Sequence, residues 1–240
     1  MWTPDALASE RTGYSGEIWR VVEAQHRIST NRLADSLADQ ERLEALAEAA
    51  KPDLPRAAHG LHYLLASPFR YGHRSESRFR KADERPGIFY ASEAEATAIA
   101  ETAYWRLRFY LRSPGFEPPR TTIEHTSFTV AVATDFALDL TRGPFPAHRS
   151  QWIHPVDYSA CQALALAARE ADVALLRTLS ARDPEARCNV VLLDPAAFAA
   201  AQPTVRRTWH LRFENGRLLA LAAFPGDGRF VFTATDFNLA

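Results

Sequence analysis

Apolar positions along this chain follow two periods, and the periods divide it into elements. Glu17–Val22 (EIWRVV) gathers Ile18, Val21 and Val22 into a short β-favouring run that predicts a strand. Between Ser29 and Ala50, Leu33, Leu37, Leu43 and Leu46 recur at near-helical spacing and predict a helix. Lys51-Pro52-Asp53-Leu54-Pro55 ends it, because proline cannot continue a helix. Residues 1–56 therefore read as an N-terminal extension with a helical arm, and 57–240 as the main domain. Residues 57–66 suit a short helix, and 67–85 form a polar, basic, loop-like stretch. Gly87-Ile88-Phe89-Tyr90 is a short apolar run that suits a buried strand. Ser92 with Glu95 has the spacing of a capping box for a helix over 93–111. Thr97, Ala100, Tyr104, Leu107 and Leu111 fall on one side of that helix, and Ser113-Pro114-Gly115 stops it.

Further on, Thr121–Thr134 mixes β-branched and polar residues, as a strand with one wet face does. Residues 158–171 read as helix, and 173–178 and 188–193 as strands joined by a polar loop, 180–187. Three more strands are expected at 208–214, 217–224 and 228–233, the first two joined by Asn215-Gly216, a tight-hairpin dipeptide. The fold class is α+β: a mixed sheet with flanking helices.

Composition narrows the function classes. The 240 residues are 47% hydrophobic and 24% charged, ordinary for a globular chain large enough to bury its own core. A net charge of -1 offers no global attraction to nucleic acid or membrane, and neither is expected as a partner. Cys161 and Cys188 stand in no paired motif and read as buried thiols of a reducing compartment. With no basic-then-apolar leader and no apolar run of membrane-spanning length, a cytoplasmic location is expected. Dinucleotide and triphosphate glycine loops and the nucleophile elbow are all absent. His59 and His62 have chelating spacing on the expected helix, but no third ligand completes a set, and no metal is expected.

Candidate chemistry gathers around the GIFY strand: Arg70, Arg78, Tyr90, and then Glu101 beside the apolar side of the following helix. A carboxylate there must be paired or used. An ion pair with Arg78 or Arg70 would be structural; an acid retained beside arginines would serve an anionic ligand. Ser180 with Arg182, and Asn189 after Cys188, form a second polar cluster, with ordinary turn chemistry as its alternative.

Taken together, these clusters resemble the RES-domain family, the toxin half of Xre–RES toxin–antitoxin modules, over roughly residues 17–198. The resemblance rests on Ile18-Trp19-Arg20-Val21-Val22, Arg78-Phe79, Gly87-Ile88-Phe89-Tyr90-Ala91-Ser92, Thr97-Ala98-Ile99-Ala100-Glu101, the helix opening at Tyr158, Ser180-Ala181-Arg182 and Asn189-Val190-Val191. The loop from Arg78 to Gly87 departs from it, with mixed charges where many members have a shorter turn. The resemblance implies an ADP-ribosyltransferase-like fold and an enzyme that degrades NAD as substrate, without a resident cofactor. It further implies a cognate Xre-type helix-turn-helix antitoxin as partner. On this reading Glu101, Arg78 and Tyr90 are catalytic, and Arg70, Ser180, Asn189 and Arg182 bind substrate. Inorganic phosphate is the expected co-substrate, giving ADP-ribose-1-phosphate, with hydrolysis or protein ADP-ribosylation as alternatives. A hydrolase built on Ser180 and His154, and a non-enzymatic interaction protein, are the rival classes.

Overall fold

The computed structural model describes residues 2–24, 34–113, 115–118 and 121–239. In chain order its elements are α1 (Pro4–Ser9), β1 (Thr12–Glu23), α2 (Leu37–Ala49), α3 (Tyr63–Arg70), β2 (Phe89–Ser92), α4 (Glu95–Arg112), β3 (Ile123–Asp139), α5 (Arg149–Trp152), α6 (Ser159–Glu170), β4 (Leu175–Leu179), β5 (Cys188–Leu192), β6 (Thr204–Glu214), β7 (Arg217–Ala222) and β8 (Arg229–Thr233). The expected α+β class is what forms: one mixed eight-stranded sheet with helices against it. No described helix is long and apolar enough to cross a membrane.

The sheet order is β1-β2-β5-β4-β3-β6-β7-β8, and β1 pairs with β3 as well as β2. The first five strands in that order therefore close on themselves, and β6–β8 continue from β3 as an open wing. Only β3–β4 is parallel. The longest pairing is β1–β3, which runs from Thr12↔Ala137 to Glu23↔His125 with a bulge near Thr12. Thus the segment 1–56, read as an extension, supplies a fully integrated strand. Ile18, Phe89, Val130, Val132, Leu175, Val190 and Leu192 share one buried cluster. Strand alternation places their neighbours on the opposite face, where Leu176 and Val191 meet Cys161, Leu164, Ala165 and Ala168 of α6. On that same outer face α4 lays Ile99, Ala103, Tyr104 and Leu107 on Trp209, Leu211, Leu218 and Phe232 of the wing. Each buried Val, Leu, Ile or Phe among them contributes about 1.5–3 kcal/mol of burial.

Several local expectations shift. Residues 29–33 of the first expected helix lie outside the described residues, and α2 begins at Leu37 after an Ser36 cap. The expected helix over 57–66 is broken by Gly60 at φ +82°, and α3 starts only at Tyr63. The His62 ring accepts from Leu64 N–H at that start, so His59 and His62 do not share a helix face. Ser92 is not a helix cap: it ends β2, opposite Trp19 and Asn189, and Ala94 precedes α4 without a side-chain cap. Glu95 instead meets Ser127 and Trp209. Leu111 is exposed, and Tyr110 takes the buried place. Asn215-Gly216 does form the tight turn, at φ 51° and 73°.

Gly87 lets β2 leave α3 at close range. A Cβ there would lie 1.9 Å from the Pro68 carbonyl oxygen and 2.7 Å from that of Tyr71. Both are backbone atoms, and Gly87 N–H donates to Phe69 O across the same contact. Gly87→Ala is expected to cost about 2–3 kcal/mol through this overpacking, read as a lower urea midpoint at unchanged slope.

Candidate active site

Glu101 enters the site from the middle of α4, and the strands supply its partners. Ser180 Oγ donates to Glu101 Oε1 at 2.7 Å, and Asn189 Nδ2 donates to the same oxygen at 2.5 Å. Asn189 Oδ1 in turn accepts from Ser92 Oγ at 2.7 Å. Ser92 and Thr178 flank Asn189 as direct cross-strand neighbours, so the β2–β5–β4 register sets the amide's position. The Ser180 hydroxyl accepts from the backbone N–H groups of Arg182 and Asp183, at 3.0 and 3.1 Å. With its acceptor side occupied, its single proton goes to Glu101. Oε1 is thus held by two neutral donors, while no described residue donates to Oε2. Neither Arg78 nor Arg70 pairs with Glu101, so the structural ion pair weighed from the sequence does not form.

The arginines divide into two groups. Arg182 is buried, with its guanidinium 3.6 Å from the centre of the Tyr104 ring, one turn beyond Glu101. Its Nη2 donates to Pro155 O at 2.7 Å and lies 3.4 Å from the Tyr158 hydroxyl. Arg78 stacks over the Tyr158 ring at 5.0 Å and donates Nη1 to Trp152 O and His154 O. These contacts place Arg78 and Arg182 along one edge of the Glu101 cluster, joined through Tyr158. Arg70 is drawn elsewhere: it pairs with Glu48 of α2 at 2.6 Å and donates to Pro52 O. Buried Arg80 spends its guanidinium on the carbonyls of His73, Ser75 and Lys81.

Tyr90 has its hydroxyl engaged within the fold. Its hydroxyl accepts from Phe79 N–H at 3.1 Å and pairs with Ser77 Oγ at 2.9 Å. Burial pushes the phenol up to about 12, against the opposing effect of those bonds and of Arg80 and Arg78. The group is a neutral brace for the turn that presents Arg78. His154 receives the N–H groups of Val156 and Asp157 at its Nδ1, and Ser180 serves Glu101, so no Ser180–His154 couple exists. Burial also raises both thiols, Cys161 to about 11.

Four contributors carry no distinct signal along the chain. Ser92 has the local spacing of a helix cap. Tyr104 and Tyr158, the platforms for Arg182 and Arg78, look like ordinary helix aromatics. Asp183 follows Arg182 directly, and its buried carboxylate accepts from Thr97 and Arg187. Arg20 stacks on Phe89 at 4.4 Å with a buried, unpartnered Nη1, and burial lowers it to about 10. A separate cleft of about 340 Å3 lies by Tyr14, Glu93, Asp139 and Arg177. Its central charges satisfy one another: Arg177 donates to Glu93 at 2.7 and 2.9 Å, and the Tyr14 hydroxyl donates to Glu93 at 3.0 Å.

The model of the RES domain matches residues 53–214, more than half of the chain. The chain belongs to the RES domain family. A search of curated proteins finds no match. Among solved structures, the M. tuberculosis MbcT–MbcA toxin–antitoxin complex contains a chain with 14% identity and a TM-score of 0.45, the match covering 86% of this chain and 92% of that one. A likeness at that level carries no functional weight. Within the RES domain, 53–214, fall all seven expected site residues and the Ser92 and Tyr158 that join them.

Asp183 ties the site to acid stability. Burial alone would raise its carboxyl, but hydrogen bonds from Arg187 and Thr97 and the Glu185 N–H outweigh it and hold the group below the usual carboxylate value. A depressed folded-state value contributes stability above the unfolded value, about 3.9, and that contribution is lost as pH falls through the folded one. The urea midpoint should therefore hold between pH 7 and about 5 and drop below about pH 4, with a smaller acid loss in Asp183→Asn.

Proposed function

We propose that this RES-domain chain is a toxin enzyme that consumes NAD by breaking the bond between nicotinamide and ribose. The supporting observation is the Glu101 carboxylate, held at Oε1 by Ser180 and Asn189 with Oε2 left open. Cleavage of an N-glycosidic bond builds oxocarbenium-like positive charge on the ribose. A carboxylate fixed beside that charge interacts more strongly with the transition state than with the ground state, which lowers the barrier. Neutral donors suit this role, since they orient the acid without cancelling its charge.

Arg78 and Arg182 are the groups for the pyrophosphate, whose planar, multidentate demands guanidinium meets better than ammonium. Each has donors beyond the main-chain contacts described. Tyr90 acts at one remove, through the turn bearing Arg78.

For the acceptor we keep inorganic phosphate, giving nicotinamide and ADP-ribose-1-phosphate. Arg70 and Arg80 are committed elsewhere, but Arg74, Lys81 and Arg85 stand exposed on the same loop and can draw in a second anion. Water would give hydrolysis and a protein side chain ADP-ribosylation. An enzyme draining its own cell's NAD needs a restraint, and an antitoxin with an Xre-type helix-turn-helix that covers the site is the partner proposed.

Purified protein with NAD should release nicotinamide, and with phosphate present should yield a product with the mass of ADP-ribose-1-phosphate. Free ADP-ribose in both samples would remove the phosphate assignment and leave hydrolysis. Glu101→Gln should lower turnover by about 100-fold or more with thermal stability within a few degrees of wild type, and should relieve growth arrest on expression. An unfolded Glu101→Gln would show instead that the acid serves the fold.

A further inference from the structure

The Thr97 hydroxyl has no place in the chemistry above, yet it is fully buried on α4 one turn before Glu101. It donates to Asp183 Oδ2 at 2.5 Å. That carboxylate has no side-chain exposure and is gripped from the other side by Arg187, at 2.6 and 3.0 Å. Its Oδ1 also accepts from Glu185 N–H at 2.9 Å, which curls the 180–187 loop back on itself. The backbone N–H of the same Asp183 is one of the two that occupy the acceptor side of Ser180. A closed circuit results: α4 holds Asp183 through Thr97, Asp183 holds Ser180 through its amide, and Ser180 holds Glu101 back on α4.

Both ends of the circuit sit on one rigid helix, four residues apart. A loop tied at only one of these points could rotate about the other. Tied at both, it fixes the Ser180 hydroxyl relative to Oε1. Buried polar groups spent in this way cost stability unless every member is satisfied, and here each is.

We propose that Thr97 and Asp183, with Arg187 as counter-charge, are positioning residues that clamp the 180–187 loop to α4 and so aim Ser180 at Glu101. The proposal rests on the NAD-cleaving reading of the site and adds to it which residues hold the acid in register. None of the three is required to touch the substrate.

The experiment is steady-state nicotinamide release from NAD by wild type, Thr97→Val, Thr97→Ser and Arg187→Met, all full-length. Thr97→Val keeps the side-chain shape and removes the hydroxyl. A misplacement of about 1 Å at a reacting group costs on the order of 100-fold, so kcat should fall by about 10- to 100-fold with KM within about twofold. Thr97→Ser should restore most of it. Hydrogen exchange of the 180–187 amides should rise in Thr97→Val and return in Thr97→Ser. A folded Thr97→Val with wild-type kcat overturns the clamp. Should Thr97→Val fail to fold, Arg187→Met decides: unchanged kcat overturns the proposal, and a fall in kcat at constant KM supports it. If wild type itself releases no nicotinamide, the reading of the site fails first and the proposal falls with it; an active wild type with indifferent variants removes the clamp alone.

Discussion

A carboxylate on a helix packed against a sheet has to find partners, and the choice of partner governs what it can do. Glu101 is answered by a hydroxyl and an amide rather than by a cation. An arginine in their place would satisfy the burial requirement equally well but would cancel the charge on which the proposed role of Glu101 rests. Neutral donors reach it only because β2, β5 and β4 pair in one register, with Ser92, Asn189 and Thr178 in a row. A slip of one residue in β5 would turn Asn189 to the opposite face, where Ile18, Phe89 and Leu175 lie, and bring an apolar side chain to the acid. The closed ring of five strands makes such a slip costly, since each of these strands is paired on both sides.

The same economy governs the cations. Arg80 and Arg70 are spent on carbonyls and on Glu48, one shaping the loop before β2 and the other fastening the arm. Arg78 and Arg182 approach from opposite ends of the chain's RES domain and meet through Tyr158. Aromatic platforms suit guanidinium, which stacks while keeping its in-plane donors available. Tyr90 braces the turn behind Arg78. The cluster is thus supported from behind by residues with no need to meet a ligand, as a preorganised site requires.

Much of this was legible along the chain. The period of 3.6 in α4 and α6, the apolar runs of β2, β4 and β5, and the Asn215-Gly216 turn all reflect local preferences that survive folding. Glu101, Ser180 and Asn189 could be singled out because polar residues beside apolar periods demand an explanation. Their convergence could not be derived from spacing, because 79 positions separate Glu101 from Ser180 and 88 separate it from Asn189. Ser92 shows the limit most clearly. Its local context, three residues before Glu95, is that of a helix cap, but strand pairing with Trp19 and Asn189 overrides it. Arg70 errs the other way: nearness in sequence to Arg78 suggested a shared ligand, while the arm offers Glu48 at 2.6 Å.

By itself, then, the order of residues determined where most of the helices and strands form, which faces are largely apolar and which polar groups need partners, since these depend mainly on neighbours a few positions away. The tertiary structure alone decided which partner each group obtains. It is the closure of β1 on β3 and β2, and the seating of α4 against the wing, that brings Ser92, Glu101, Ser180 and Asn189 within hydrogen-bond reach. It also decides that Tyr90 braces, Arg70 fastens the arm, and Thr97 finds Asp183. Those outcomes depend on contacts between segments distant in sequence, and such contacts exist only once the whole sheet is paired.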